Sequence, residues 1–195
     1  MTERDTAFVA AAAPGGGAIL STVGLTRRFG GLLAVNDVSI DLRVGEVHAV
    51  IGPNGAGKTT LTNLLSGDLA PSAGEIRYGG GNLAGLPSHR ISRMGIGRSY
   101  QKTNIFLPFT VFENCRLAAQ SRAPHAWRVF HRAGGFADIN RQAEEAMAAA
   151  GLAGRRERVA ATLSHGEQRQ LEIAMCLATR PRVLLLDEPL AGMGP

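Results

Sequence analysis

Gly52-Pro53-Asn54-Gly55-Ala56-Gly57-Lys58-Thr59 fits G-x-x-x-x-G-K-[ST]. No other stretch constrains the fold as strongly. The apolar run 47–51 precedes it, and after it Leu61, Leu64 and Leu65 repeat at i, i+3, i+4 until Gly67. The expected unit is therefore strand, glycine-rich loop, helix, the setting of a phosphate-binding P-loop. Glycines let backbone N–H groups curl around phosphate oxygens at a helix N-terminus, where the helix dipole favours anions. Lys58 is placed to reach β and γ phosphates, and Thr59 to offer its hydroxyl to Mg²⁺. The bland alternative is a glycine-rich turn with an incidental lysine. Against it, Lys58 and Lys102 are the only lysines among 21 basic residues, and Lys58 falls at the required position.

Composition narrows the class. A chain of 195 residues with 45% hydrophobic and 19% charged residues can bury a core as one domain and lies outside the disordered class. Cys115 and Cys176 have no paired spacing, which excludes a disulfide framework or zinc cluster and points to a reducing compartment. No apolar stretch approaches the roughly 18 residues of a membrane helix. The first 18 residues read as a flexible tail and not a signal peptide, because their charges are mixed and their alanines are broken by Pro14 and glycines. The net charge of +5 is scattered, which argues against a nucleic-acid partner.

Along the chain, residues 19–29 look extended. Val38, Ile40 and Leu42 alternate with polar neighbours at the strand period. Residues 75–78 form a short strand candidate, Ser88 a helix cap, and 96–100 a further extended stretch. Thr110 with Glu113 fits a capping box for a helix over 110–120, and residues 121–137 read as a loop. Residues 138–150 favour helix, with Gly151 to stop it. After Ser164 a helix carries the apolar stripe Leu171, Ala174, Met175 and Ala178 until Pro181, and residues 183–186 read as a buried strand. The alternation predicts an α/β fold with a mainly parallel core sheet, an N-terminal β region and a helical region over about 105–180.

Two further motifs carry chemistry. Asp187 and Glu188 stand at the C-terminal tip of the 183–186 strand, where doubly wound sheets bind ligands. Asp187 is placed to hold Mg²⁺ as a Walker B aspartate does, and Glu188 to deprotonate a water for attack on a γ-phosphate. Ser164, His165, Gly166 and Glu167 open the later helix. Ser164 and Glu167 form a second capping box, while the same helix N-terminus can receive an anion.

Together these residues resemble the ATP-binding cassette (ABC) family over roughly residues 19–195. The resemblance implies an ABC ATPase fold with antiparallel N-terminal strands and a helical subdomain at about 105–180. It implies nucleotide contacts from Phe29, by stacking on adenine or else packing in the core, from the P-loop through Thr60, and from Gln101, which also binds Mg²⁺. It implies that Ser164 to Glu167 grip ATP held by an opposing subunit. Residues 29–39 (FGGLLAVNDVS), 95–114 and 163–178 are similar to the ATP-binding subunits of bacterial branched-chain amino acid importers and of related urea or amide importers. Lipopolysaccharide-export cassettes are similar as well. The implied partners are a second ATP-binding subunit, identical or not, transmembrane permease subunits facing Gln101 and residues 102–112, and indirectly a solute-binding protein. The implied location is the cytoplasmic face of the inner membrane. His165 and Glu167 stand where the family has Gly and Gln, and Gly194 where Asp is common. The family's switch histidine would lie beyond Pro195, so the resemblance implies a chain incomplete at its C-terminus. The competing expectations are a soluble ABC ATPase of repair or translation, and a nucleotide-binding fragment without turnover.

Overall fold

A computed structural model describes residues 17–100, 104–122 and 136–187. Gln101, Lys102, Glu188 and the residues after it, the centre of the expected 121–137 loop, and all but the last two positions of the expected tail lie outside the described residues. The chain divides into two units, Met1–Met94 and Gly95–Pro195.

In the first unit, β1 (Leu20–Phe29) and β2 (Leu32–Leu42) form a hairpin. With β3 (Ala73–Tyr78) and β4 (Gly81–Asn82) they build an antiparallel sheet in the order β2-β1-β3-β4. The polar alternation of β2 is borne out: Val38, Ile40 and Leu42 are half-buried while Asp37, Ser39 and Asp41 are exposed. The hairpin register slips between Thr22 and Leu25, near Asp37 at φ 51°. There the buried Thr22 hydroxyl joins the ladder, donating to the Val38 carbonyl (2.8 Å) and accepting from the Ile40 N–H (3.1 Å). Helix α1 (Lys58–Leu65) buries Leu61, Leu64 and Leu65, the predicted stripe. Leu20, Leu25, Ile76, Tyr78 and Leu83 are also part of the apolar interior of this unit.

Two expectations fail in this unit. Ser88 does not cap a helix: it is the first residue of α2 (Ser88–Arg93), whose cap position is Pro87 and has no side-chain cap bond. Pro87 supplies an extended backbone at φ −69°, ψ 147°, which starts the helix without a hydroxyl. The run 47–51 is not a strand. Val47 is 97% and Ile51 92% exposed, and no described strand pairs with the run. A central parallel strand is held by neighbours on both edges, and hydrophobicity alone does not supply them.

The second unit contains the only parallel pairing among the described residues, β5 (Ile96–Arg98) beside β6 (Val183–Leu185), in register from Ile96↔Val183 to Arg98↔Leu185. β6 is half-buried, less covered than expected, and Leu186 just past it is exposed. Helices α3 (Val111–Gln120), α4 (Ala137–Ala149) and α5 (His165–Ala178) share an apolar core that includes Val111, Cys115, Ala143, Met147, Leu171, Ala174 and Ala178. Both predicted capping boxes, Thr110 with Glu113 and Ser164 with Glu167, are present. Both cysteines are free thiols, and burial pushes Cys115 up to about 12 and Cys176 up to about 11. They carry no thiolate chemistry at neutral pH.

Candidate nucleotide-binding site

Backbone torsions shape the loop from Gly52 to Thr59. Gly55 (φ 84°) and Gly57 (φ 88°) are left-handed, and the latter occupies the cap position of α1. A Cβ on Gly57 would lie 2.2 Å from the Ala34 carbonyl oxygen, so only glycine fits where the loop presses on β2. No side chain caps α1, and no acidic residue stands in its first turn. Its N-terminus thus presents positive dipole charge without a carboxylate to neutralise it. Lys58 folds back across the loop, its Nζ donating to the carbonyls of Gly52 (2.7 Å) and Pro53 (2.8 Å). These two bonds hold the ammonium over the loop mouth, where phosphate oxygens would exchange with the carbonyls. Thr59 and Thr60 follow within the first turn.

Phe29 is exposed at the end of β1, outside the core, with the Arg27 guanidinium 4.6 Å from its ring centroid. It pairs with Leu32, two residues before the Ala34 that touches Gly57. At about 3.4 Å per strand residue, the hairpin end stands roughly 7 Å along β2 from the P-loop contact.

In the second unit, Asp187 follows β6 and is buried, its N–H donating to the Ser99 hydroxyl (3.4 Å). Ser164 begins α5. Its hydroxyl and N–H both donate to one oxygen of Glu167 (3.1 and 2.9 Å), while Arg155 donates to the other (2.9 Å). The Ser164 N–H first, then Arg155 and the Ser164 hydroxyl, hold the Glu167 carboxyl below the usual carboxylate range. A carboxylate thus sits at the very helix end expected to receive an anion, with Arg155 offsetting its charge. His165 and Gly166 lie in the first turn beside it. The sequence reading missed Arg169 and Glu172, a buried ion pair on α5. The available signal was a pair of opposite charges three residues apart on a helix, with Glu172 lying between the apolar Leu171 and Ile173.

Residues 35–191 match the model of the ABC transporter family. The chain belongs to this family. Nucleotide binding is therefore its general property. Its relatives include the high-affinity branched-chain amino acid transport ATP-binding protein BraF of Pseudomonas aeruginosa, 46% identical, with 91% of this chain and 71% of that protein covered. The corresponding protein LivG of Escherichia coli is 41% identical at the same coverage. Among solved structures, a nucleotide-free ATP-binding cassette from an ABC transporter superposes with a TM-score of 0.75 at 28% identity, covering 91% of this chain and 71% of that one. The ADP conformation of the cassette MJ1267 gives 0.75 at 27% identity over the same shares. This ABC cassette thus has the expected ABC ATPase fold, with its antiparallel N-terminal sheet and its helical region.

Proposed function

We propose that this chain is the ATP-binding and ATP-hydrolysing subunit that powers an ABC importer for branched-chain amino acids. The observation carrying this is the P-loop: an uncapped helix N-terminus, a glycine pressed against β2 and a lysine poised over the loop. The names of BraF and LivG support the choice of solute. Gly52 to Gly57 cradle the phosphates, Lys58 binds the β and γ oxygens, Thr60 lies beside them, and Phe29 stacks on adenine. Thr59 and Asp187 are hard oxygen donors of the kind Mg²⁺ takes alongside phosphate and water. Bound there, Mg²⁺ would neutralise phosphate charge. Gln101 adds to the metal's surroundings, and Glu188 takes the proton of the attacking water. Ser164, His165, Gly166 and Glu167 face the ATP of a second ATP-binding subunit.

The permease docks on Phe106, Leu107 and Phe109, which are exposed. No described helix is long and apolar enough to cross a membrane. In this reading the permease holds the chain at the cytoplasmic face.

Calorimetry with MgATP tests the reading. Lys58→Ala, which removes the point charge facing the phosphates, should weaken binding roughly a hundredfold, or about 3 kcal/mol. Equal affinity in wild type and variant would end the P-loop assignment.

A further inference from the structure

One face of α5 carries Arg169, Glu172 and Cys176 at i, i+3 and i+7, and these side chains hold backbone at the ends of both strands of the parallel pair. Cys176 Sγ donates to the Arg98 carbonyl (3.1 Å). Glu172 accepts from the Tyr100 N–H (3.0 Å), and Arg169 donates to the Tyr100 carbonyl (2.6 Å). The same guanidinium donates to the Asp187 carbonyl (2.6 Å) and pairs with Glu172 at 2.5 Å. Arg169 is 8% and Glu172 4% exposed. Burying two charges is costly, and an apolar pair of equal size would hold none of these three backbone groups.

The backbone groups so held have a common feature. Tyr100 immediately precedes Gln101 in the chain, and the Asp187 carbonyl belongs to the peptide that joins Asp187 to Glu188. The helix that holds them begins at Ser164.

We propose that Arg169 and Glu172 are positioning residues for ATP hydrolysis, their ion pair fixing the backbone of Tyr100 and Asp187, the residues that adjoin Gln101 and Glu188 in the chain. The proposal rests on the hydrolytic reading above. Arginine is required because one planar fork serves the Tyr100 carbonyl, the Asp187 carbonyl and Glu172 together, whereas the compact ammonium of a lysine does not reproduce that fork.

The test uses the full chain with Arg169→Lys, Glu172→Gln and the double variant Arg169→Met/Glu172→Met, each checked for folding by circular dichroism and melting. ATP affinity with and without Mg²⁺, KM and kcat are then measured. Folded Arg169→Lys should keep KM within about threefold of wild type while kcat falls roughly a hundredfold, the cost of about 1 Å of misplacement. The double variant, which leaves no unpaired buried charge, decides the matter where single variants do not fold. It should show the same split. A purely structural role would lower melting temperatures and leave kcat of the folded variants unchanged, and that result would overturn the proposal. A wild-type chain that binds no ATP overturns the functional reading, and this proposal with it. If wild type binds but does not turn over, the gain in ATP affinity on adding Mg²⁺ is the readout. A gain about tenfold smaller in the variants supports the proposal, and an unchanged gain refutes it.

Discussion

Gly55 and Gly57 occupy the same motif and have nearly the same torsion, φ 84° and 88°, yet their surroundings differ. A Cβ on Gly55 meets nothing within 4 Å, whereas one on Gly57 would overlap the Ala34 carbonyl at 2.2 Å. Gly55→Ala should therefore cost only the left-handed backbone, about 1–2 kcal/mol. Gly57→Ala should cost more, because the loop must also leave β2, and it should weaken ATP binding as well as stability. Parallel urea denaturation and calorimetry on the two variants check this; equal losses would show that the Ala34 contact does not shape the loop. The motif was legible in the sequence because its chemistry is local. The contact of Gly57 with Ala34 was not, since it joins residues far apart in the chain and depends on how the hairpin folds. The same holds for Arg169 and Glu172, whose partners Tyr100 and Asp187 are distant in sequence.

The two capping boxes were legible, since each is written within four residues, whereas the lone Ser88 was misread as a cap. At Ser164 and Glu167 that local device has a pH signature. The folded-state carboxyl of Glu167 is lowered by the Ser164 N–H, Arg155 and the Ser164 hydroxyl. Its contribution to stability is therefore complete above the ordinary glutamate range, about pH 4.3, and is lost as pH falls through the lowered value. Glu167→Gln, which cannot ionise, should narrow the stability difference between neutral pH and about pH 3. Melting curves of both proteins across that range measure it, and parallel curves would show that Glu167 does not titrate through its cap. Strands were less legible. The run 47–51 has the composition of a buried strand yet lies exposed, because a strand forms only with neighbours to bond it. The bulged register of β1 and β2 likewise escaped the alternation pattern, which records faces and not an extra residue.

At the scale of the whole molecule and its assembly, residues 106–109 fall within the segment 102–112 that the resemblance implies faces a permease. Phe106, Leu107 and Phe109 are 52%, 47% and 40% exposed, with the two rings stacked at 5.5 Å. The backbone beneath them is held by hydrogen bonds. Fully buried Asn114 accepts from the Phe106 N–H (2.8 Å) and donates to its carbonyl (3.1 Å), and the backbone N–H groups of Ala160 and Ala161 donate to the carbonyls of Phe109 and Leu107 (2.8 and 3.0 Å). A preorganised apolar patch binds without the entropy cost of ordering a loop, and exposed aromatics are the residues that anchor interfaces. Phe106→Ser with Phe109→Ser should therefore leave the fold and ATP affinity of the isolated chain unchanged while weakening capture by the permease. A loss of about 2 kcal/mol, roughly thirtyfold in Kd, is the scale of a hot spot. Titrating the detergent-solubilised permease against wild-type and variant chains measures it directly. Undiminished affinity in a folded double variant would move the docking surface elsewhere on the chain.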